Sequence, residues 1–314
     1  MVSRSSAVSG PPAPSLFVVG GLSMYVGAAL AVGLFTQAPP AGVAWLRLAG
    51  AAVVLALWRL GAAAAGRRSR REAAGLRIGR SGWTGRRVVL AGTFGMVTAG
   101  MNIVFYEAIA RLPLGTAVAV EFSGPVLVAA LGSRTRRDWL ALALVVAGVG
   151  LIADVRLEGS LLGVLFALAA ALLWAAYIVL GARVSHGAEN AGEGIDGLAI
   201  GFAVATAVFS PLALTVGRIA ASPLLLASAL ALGVLSSVVP YVLDQVVLRR
   251  LGRARFALLL ALLPLTATVV GLVGLAQVPA PLEAVGIAAV VGGVALRREP
   301  AADPGAERRA PPLE

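Results

Sequence analysis

Residues 160–181 read SLLGVLFALAAALLWAAYIVLG, an apolar stretch without a charged side chain. A helix needs about 20 mostly apolar residues to cross the hydrocarbon core of a bilayer. This stretch therefore predicts a transmembrane helix. It also favours an all-α fold, because a helix satisfies all its backbone hydrogen bonds within one segment, as a span in lipid must.

The rest of the chain has the same character. Of 314 residues, 59% are hydrophobic and 13% are charged, and the mean hydropathy is +0.91. A soluble domain carries roughly 25% charged residues, so most of this chain is unsuited to water. The stretches that qualify or nearly qualify as spans are 16–36, 41–60, 88–110, 114–133, 139–155, 160–181, 197–217, 223–247, 256–277 and 281–296. A nine-span alternative omits the last of them.

The first apolar stretch, 16–36, has two interpretations. The tail before it holds one arginine and many Ser and Pro residues. Its apolar run exceeds the core of about 7–15 residues that is typical of a signal peptide. We therefore interpret it as a retained first helix rather than a cleaved signal.

The arginines predict the orientation in the membrane. The 26 basic residues are all arginine. If the N-terminus is cytoplasmic, 22 of these 26 lie on the inner side, and the outer side holds only Arg47, Arg111, Arg156 and Arg218. Cytoplasmic segments are enriched in basic residues, so this bias favours ten spans with both termini in the cytoplasm. A nine-span chain would place Arg297 and Arg298 outside.

Residue usage excludes several classes of site. The net charge is +11 and the isoelectric point is near 11.5, but the arginines lie in short clusters between apolar spans. We therefore expect contact with a lipid bilayer and none with nucleic acid. The chain has no cysteine and one histidine, His186, which we interpret as a solvated loop residue rather than a pH sensor. Thiolate and multi-histidine metal sites are excluded, an ATP-binding P-loop is excluded without lysine, and we expect no cofactor.

The ten spans divide into two halves of five. Aligning Pro125 of the fourth span with Pro264 of the ninth also aligns Arg111 with Arg250, and a glycine-rich span closes each half. Because five is odd, the second half enters the membrane from the opposite side. Inverted repeats of this kind are typical of secondary transporters. A chance likeness between two Ala/Leu/Val-rich stretches is the alternative.

These halves define the predicted domains. The first five-helix repeat covers 16–155 and the second covers 156–296. The tails 1–15 and 297–314 are rich in Pro, Ser, Ala and charge, a composition that predicts disorder.

Three motifs resemble the EamA-type transporters of the drug/metabolite transporter superfamily. Residues 105–125 read FYEAIARLPLGTAVAVEFSGP, closest to the threonine/homoserine exporter branch. ALLWAAYI at 171–178 and LSSVVPY at 235–241 fit the same branch. The resemblance covers about 16–296. It implies a ten-helix, two-repeat exporter of amino acids or similar metabolites in a bacterial inner membrane.

The second half departs from that branch at two acidic positions. The ninth span has Leu263 where the family usually has a Glu before the proline, and Ala276-Gln277 where it has Gly-Glu. The coupling mechanism of the family therefore does not transfer directly to this chain.

Glu121 is the leading candidate for the transport site. It lies about 10 Å into its span, at about 1.5 Å per residue, near the midplane where transporter sites lie. Pro125 follows one turn later and frees a backbone carbonyl, which together with the carboxylate suits an ammonium group or a proton. A structural Glu bonded to a neighbouring helix is the alternative. Ser236 and Ser237 before Pro240 mark a second helix irregularity.

Arg47 opens the second span within the motif Trp45-Leu46-Arg47-Leu48. Its planar guanidinium suits a substrate carboxylate. The alternatives are snorkelling to the outer interface or a structural pair with Glu107 at the same depth. We favour the pair.

The polar and aromatic residues within spans complete the set of candidates. Trp174 and Tyr177 lie on one helix face and are candidates for lining a cavity. Tyr106 and Tyr241 are candidates too, although most membrane aromatics pack or anchor the protein. Asn102, one turn before Tyr106, offers a polar contact.

Three function classes remain. A secondary active exporter, with a small-molecule substrate and protons as its partners, accounts for the inverted repeat and the intramembrane acid. A membrane-embedded enzyme would have only carboxylates to use, and Pro113 separates the one close pair, Glu107 and Glu121. A non-catalytic scaffold is the third class, and substrate-dependent efflux distinguishes transport from both others. The small-residue helix faces are compatible with a homodimer or a monomer.

Overall fold

The computed structural model describes residues 12–72, 85–133, 135–185, 191–240, 242–243, 246–247, 250–251, 256 and 259–296. Every regular element in these residues is helical. Tyr241, His186 and the predicted tail 297–314 lie outside the described residues.

Eleven α-helices are defined in this part of the chain. They are α1 Ala13–Leu34, α2 Pro40–Glu72, α3 Gly85–Ile109, α4 Leu114–Glu121, α5 Ser123–Ser133, α6 Arg136–Ser185, α7 Ala191–Val208, α8 Gly217–Ala221, α9 Pro223–Gly233, α10 Leu262–Leu275 and α11 Pro281–Leu296. A 3₁₀ turn covers Ser210–Thr215, and a π-helical turn covers Val234–Val238.

Local sequence accounts for many of the helix starts. Proline occupies the first turn of α1, α2, α9 and α11, where its missing N–H costs no hydrogen bond. At the start of α6, the N–H of Asp138 donates to the Thr135 hydroxyl at 3.2 Å, and the N–H of Thr135 donates to the Asp138 carboxylate at 3.3 Å. This reciprocal arrangement is a capping box.

Several predicted spans differ from the observed helices. The predicted span 114–133 is divided at Phe122 into α4 and α5, because Pro125 has no N–H to donate to the Glu121 carbonyl. The predicted spans 139–155 and 160–181 both belong to α6, which is kinked at Ser160, where φ is −163° and ψ is 48°. The helix α1 also begins at Ala13 rather than at residue 16.

The outer surface of the bundle is apolar. The side chains of Leu57, Leu172 and Val273 are 62%, 64% and 81% exposed. Soluble proteins rarely expose broad apolar patches. Among the described residues, Ala13–Leu34, Pro40–Leu57 and Ser160–Leu180 are long and apolar enough to cross a bilayer, and four shorter apolar helices accompany them. The chain is therefore a membrane protein, and the count of ten spans stays a prediction.

Helices approach one another closely at glycines. A Cβ atom on Gly95 of α3 would lie 2.0 Å from the carbonyl oxygen of Gly201 in α7. A Cβ atom on Gly124 of α5 would lie equally close, at 2.0 Å, to the carbonyl oxygen of Ala171 in α6. Small residues permit such backbone contacts between membrane helices.

The helix α4 lies in the interior of this bundle. All eight of its residues are buried. It packs against α3, α5, α6, α10 and α11. The packing therefore places Glu121, its last residue, among other helices rather than at the lipid-facing surface.

Candidate functional site

Arg47 projects from α2 toward the π-helical turn. Its Nε donates to the Ser237 hydroxyl at 3.2 Å, and its Nη2 donates to the Ser236 carbonyl at 2.8 Å. The guanidinium carbon also lies 5.7 Å from the centroid of the Tyr106 ring, within the range of a cation–π contact. Arg47 therefore joins α2 to α3 and to the chain after α9.

The predicted pair between Arg47 and Glu107 is wrong. Glu107 forms its ion pair with Arg111, four residues along the same segment. Arg111 also donates to the Glu107 carbonyl at 2.6 Å. A Glu followed by a basic residue at i+4 is a favourable local arrangement, and a cation at the C-terminal end of a helix suits its dipole. The spacing of Arg111 from Glu107 could have been recognised in the sequence, and Glu107 pairs with Arg111 rather than with Arg47.

Tyr106 is fully buried next to Arg47. Its ring meets Phe35 edge-on, with 6.0 Å between the centroids. Its hydroxyl lies beside Arg47 and Ser236 but makes no hydrogen bond of standard geometry within the described residues. Tyr106 was a sequence candidate, and the structure places it with Arg47.

Glu121 is the second ionisable residue of this interior. It ends α4 and is 8% exposed. The described part of the chain supplies no side-chain hydrogen bond or ion pair to its carboxylate, whereas the charge of Arg47 acts on it through space. The alternative of a Glu bonded to a neighbouring helix therefore finds no partner among these residues. The structure therefore places Arg47 close enough to interact electrostatically with both Glu121 and Tyr106.

Two of the predicted aromatic residues pack against the first half of the chain. Trp174 meets Phe122 edge-on at 4.8 Å between centroids, beside the break between α4 and α5. Tyr177, one turn later in α6, packs on Phe94 of α3 at 4.7 Å. Both side chains are half-buried. Trp174 therefore contacts Phe122, the residue that follows Glu121, while Tyr177 contacts α3.

Asn102 bonds within its own helix. Its side-chain nitrogen donates to the carbonyl of Thr98 one turn earlier, at 2.7 Å. The side chain is half-buried. Its amide nitrogen is thus used locally, and the structure does not join it to the cluster around Arg47.

The π-helical turn is bonded to α1 as well as to α2. Ser23 donates to the Leu235 carbonyl at 2.9 Å, and Ser236 donates to the Met24 carbonyl at 3.2 Å. Gly27 makes room for this contact, because a Cβ atom there would lie 2.0 Å from the Ser236 hydroxyl oxygen. π-Helical turns are rare and often accompany functional sites. The serines before Pro240 predicted an irregularity, but not these partners.

Sequence reasoning missed a polar cluster at the N-terminal end of α4. Gln277, treated above as a lost acid, accepts from the N–H of Leu114 at 2.8 Å. Glu283, fully buried, accepts from the Thr116 hydroxyl and from the N–H of Ala280 at 3.2 Å. An acid in the first turn of α11 was the available signal, because helix N-termini favour negative charge.

The Glu283→Ala variant is expected to unfold at a lower temperature than the wild type. The substitution leaves the Thr116 hydroxyl and the Ala280 N–H without this acceptor, and a buried unsatisfied polar group costs about 1–3 kcal/mol. Thermal unfolding in detergent measures the effect. Glu283→Gln retains an acceptor oxygen and should remain closer to the wild type. Equal unfolding temperatures for all three proteins would contradict the structural role.

Comparisons with known proteins confirm the family that the sequence motifs resemble. The model of the EamA-like transporter family matches residues 161–297. Threonine/homoserine exporter RhtA of Escherichia coli K12 is 32% identical over 284 residues, covering 88% of each chain. Its counterpart from Salmonella typhimurium SL1344 is 32% identical over 295 residues, which covers 88% of this chain and 90% of the relative.

A solved crystal structure shares the fold. It aligns with a TM-score of 0.53 at 20% sequence identity and covers 90% of this chain and 96% of the other. This likeness concerns the fold alone, whereas the identity to the exporters extends over most of both sequences. The chain therefore belongs to the EamA-like transporters of the drug/metabolite transporter superfamily, as an RhtA-like membrane protein.

Proposed function

We propose that this protein is a secondary active exporter of amino acids of the threonine/homoserine type, in the inner membrane of a bacterium. The observation that carries the proposal is the arrangement of Glu121 and Arg47. They are an acidic and a basic side chain in the interior of the bundle, close enough to interact through space but joined by no ion pair among the described residues. Charges within a membrane protein interior usually mark a transport pathway.

A zwitterionic amino acid matches these two charges. Its carboxylate is the natural partner of the Arg47 guanidinium, which offers a planar set of donors. Its ammonium group is the natural partner of the Glu121 carboxylate. Trp174 and Phe122, beside the helix break that follows Glu121, would bound the space for the substrate side chain.

Recurring helix contacts support the proposed two-repeat architecture. Three close contacts between helices each occur twice, with the equivalent helices of the two halves exchanged. Gly50 approaches Gly233, and the equivalent approach joins Gly201 and Gly95. Gly21 approaches Leu263, and the equivalent approach joins Ala171 and Gly124. Ala141 approaches Gly293, and the equivalent approach joins Gly286 and Gly148.

The recurrence follows the alignment made from the prolines. Matching Pro125 to Pro264 places Gly124 opposite Leu263, and these residues make corresponding contacts with α6 and α1. Two repeats related by a pseudo-two-fold axis are expected to duplicate their contacts in this way. This supports five-helix repeats at 16–155 and 156–296, and with the arginine bias it supports cytoplasmic termini.

Proton-coupled antiport is the proposed source of energy. Glu121 would carry a proton inward after releasing the substrate ammonium group on the outer side, because one carboxylate serves either cation but not both together. Carboxyl groups in such surroundings are well suited to exchange protons. The loss of acids at Leu263 and Gln277 leaves Glu121 as the proposed coupling group.

Threonine efflux is expected to respond to a proton gradient. In proteoliposomes loaded with radiolabelled threonine, an inwardly directed proton gradient should accelerate efflux at least fivefold, by the coupling argued above. A protonophore should abolish the acceleration, and liposomes without protein are the control. Efflux that persists unchanged without a pH gradient or potential contradicts the coupling. If neither threonine nor homoserine is exported under any condition, the proposed substrate would change to another metabolite or a drug.

A further inference from the structure

Arg47 is occupied by acceptors from its own chain. The Ser236 carbonyl and the Ser237 hydroxyl both belong to the π-helical turn, and they receive its Nη2 and Nε donors at 2.8 and 3.2 Å. Both acceptors are neutral oxygens.

A carboxylate is a stronger partner for Arg47 than these two groups. Hydrogen bonds between ionised groups are shorter and roughly twice as strong as neutral ones, and a guanidinium binds a carboxylate through two parallel bonds. A substrate carboxylate that reaches Arg47 therefore competes with the turn for the same donors. The neutral oxygens are the acceptors that such a ligand would displace.

Tyr106 provides an independent indication of a ligand at this place. It is fully buried, and its hydroxyl lies beside Arg47 and Ser236 without a hydrogen bond of standard geometry among the described residues. Buried hydroxyl groups are normally paired. A carboxylate bound to Arg47 would lie next to this hydroxyl and would accept from it.

We propose that Arg47 and Tyr106 form the carboxylate subsite, and that the Ser236 carbonyl and the Ser237 hydroxyl occupy Arg47 until a substrate carboxylate replaces them. The inference rests on the proposed function and assigns it a point of recognition. Ser237 acts as a competitor for Arg47 rather than as a substrate ligand.

Ligand exchange at Arg47 also changes what restrains the π-helical turn. Of its contacts described above, the two with α2 are lost on exchange, whereas the Ser23–Leu235 and Ser236–Met24 bonds to α1 remain. The exchange therefore removes the polar contacts of the turn with α2, while its polar contacts with α1 remain. Substrate binding thereby loosens one specific contact between the two halves of the chain.

Ser237→Ala is expected to lower the KM for threonine efflux about fivefold, because it removes one competitor for Arg47 and a net hydrogen bond corresponds to about a fivefold change in an equilibrium. Ser228→Ala is the matched control, since its hydroxyl bonds to the Leu224 carbonyl within α9. Its KM should equal that of the wild type. An increased KM for Ser237→Ala would make Ser237 a substrate ligand, and an unchanged KM would show that Ser237 does not compete for Arg47. Either result overturns the proposal.

Cysteine labelling tests the release of the turn directly. The chain has no cysteine, so Val238→Cys introduces a single thiol at the end of the π-helical turn. Threonine should accelerate its reaction with a maleimide at least threefold. Threonine amide, which lacks the carboxylate, is the matched probe and should leave the rate unchanged.

The outcomes separate the two proposals when efflux is measured on the same vesicles. Threonine efflux with an unchanged labelling rate, or with equal effects of threonine and its amide, overturns the subsite and leaves the exporter. Accelerated labelling by threonine alone, without efflux, supports the subsite and contradicts the exporter. A threonine response in neither measurement contradicts both.

Discussion

Glu121→Gln is expected to lower threonine efflux at least tenfold at matched expression. A tenfold change corresponds to about 1.4 kcal/mol, a modest fraction of the interaction between unit charges in a partly desolvated site. Glutamine preserves the shape of the side chain but neither attracts the substrate ammonium group nor exchanges a proton. Because no side-chain hydrogen bond or ion pair to this carboxylate is found among the described residues, the substitution should leave the fold intact.

The matched control for this variant is Glu283→Gln. Glu283 is also buried, but its Oε1 accepts from the Thr116 hydroxyl and its Oε2 accepts from the Ala280 N–H. In glutamine the single oxygen can still accept from the Ala280 N–H, while the amide nitrogen can donate to the Thr116 hydroxyl oxygen. Efflux by this variant should stay within about twofold of the wild type, since a conserved acceptor preserves most of the hydrogen-bond energy. Wild-type efflux and unchanged pH dependence in Glu121→Gln would contradict the proposed site.

Gly95→Ala is expected to cause a large loss of stability, the largest expected for a single added methyl group among the glycines whose surroundings the structure describes. The new Cβ atom would lie 2.0 Å from the carbonyl oxygen of Gly201, 2.3 Å from its carbonyl carbon and 2.5 Å from its Cα. These are backbone atoms and cannot rotate away, so α3 and α7 must separate. Overpacking of this kind costs about 1–3 kcal/mol, which exceeds the gain of about 1 kcal/mol in helix propensity.

Gly33→Ala is the matched control for the packing prediction. Gly33 lies within α1, and a Cβ atom there would meet nothing within 4 Å. The substitution should be neutral or stabilising by up to about 1 kcal/mol, because alanine has the higher helix propensity. Thermal unfolding in detergent compares the two variants. If Gly95→Ala unfolds at the temperature of Gly33→Ala, the helices are not in backbone contact at Gly201.

Much of the candidate site could be predicted from the sequence. Glu121 stood out as an acid inside an apolar span, and the structure places it buried at the end of α4. Arg47 and Tyr106 were also candidates, but their mutual contact was not foreseen. Glu107 was assigned the wrong partner, although the i+4 spacing to Arg111 was available in the sequence.

The sequence by itself determined the class of protein, the helical nature of its segments and its family. These properties depend on local sequence, because the free energies of transfer of successive apolar side chains into lipid add up along a span. Motifs at 105–125 and 235–241 are likewise contiguous. The kink at Ser160 and the break at Phe122 refine this description without changing it.

Only the tertiary structure decided which polar groups meet. Arg47 bonds to groups 189 and 190 residues away, and Gln277 accepts from the N–H of Leu114 across 163 residues. Such partners depend on how the helices pack, and close approaches at glycines such as Gly27 and Gly95 permit that packing. Hydropathy is nearly uniform along these spans, so it carries no information about which helices become neighbours or which polar groups face one another.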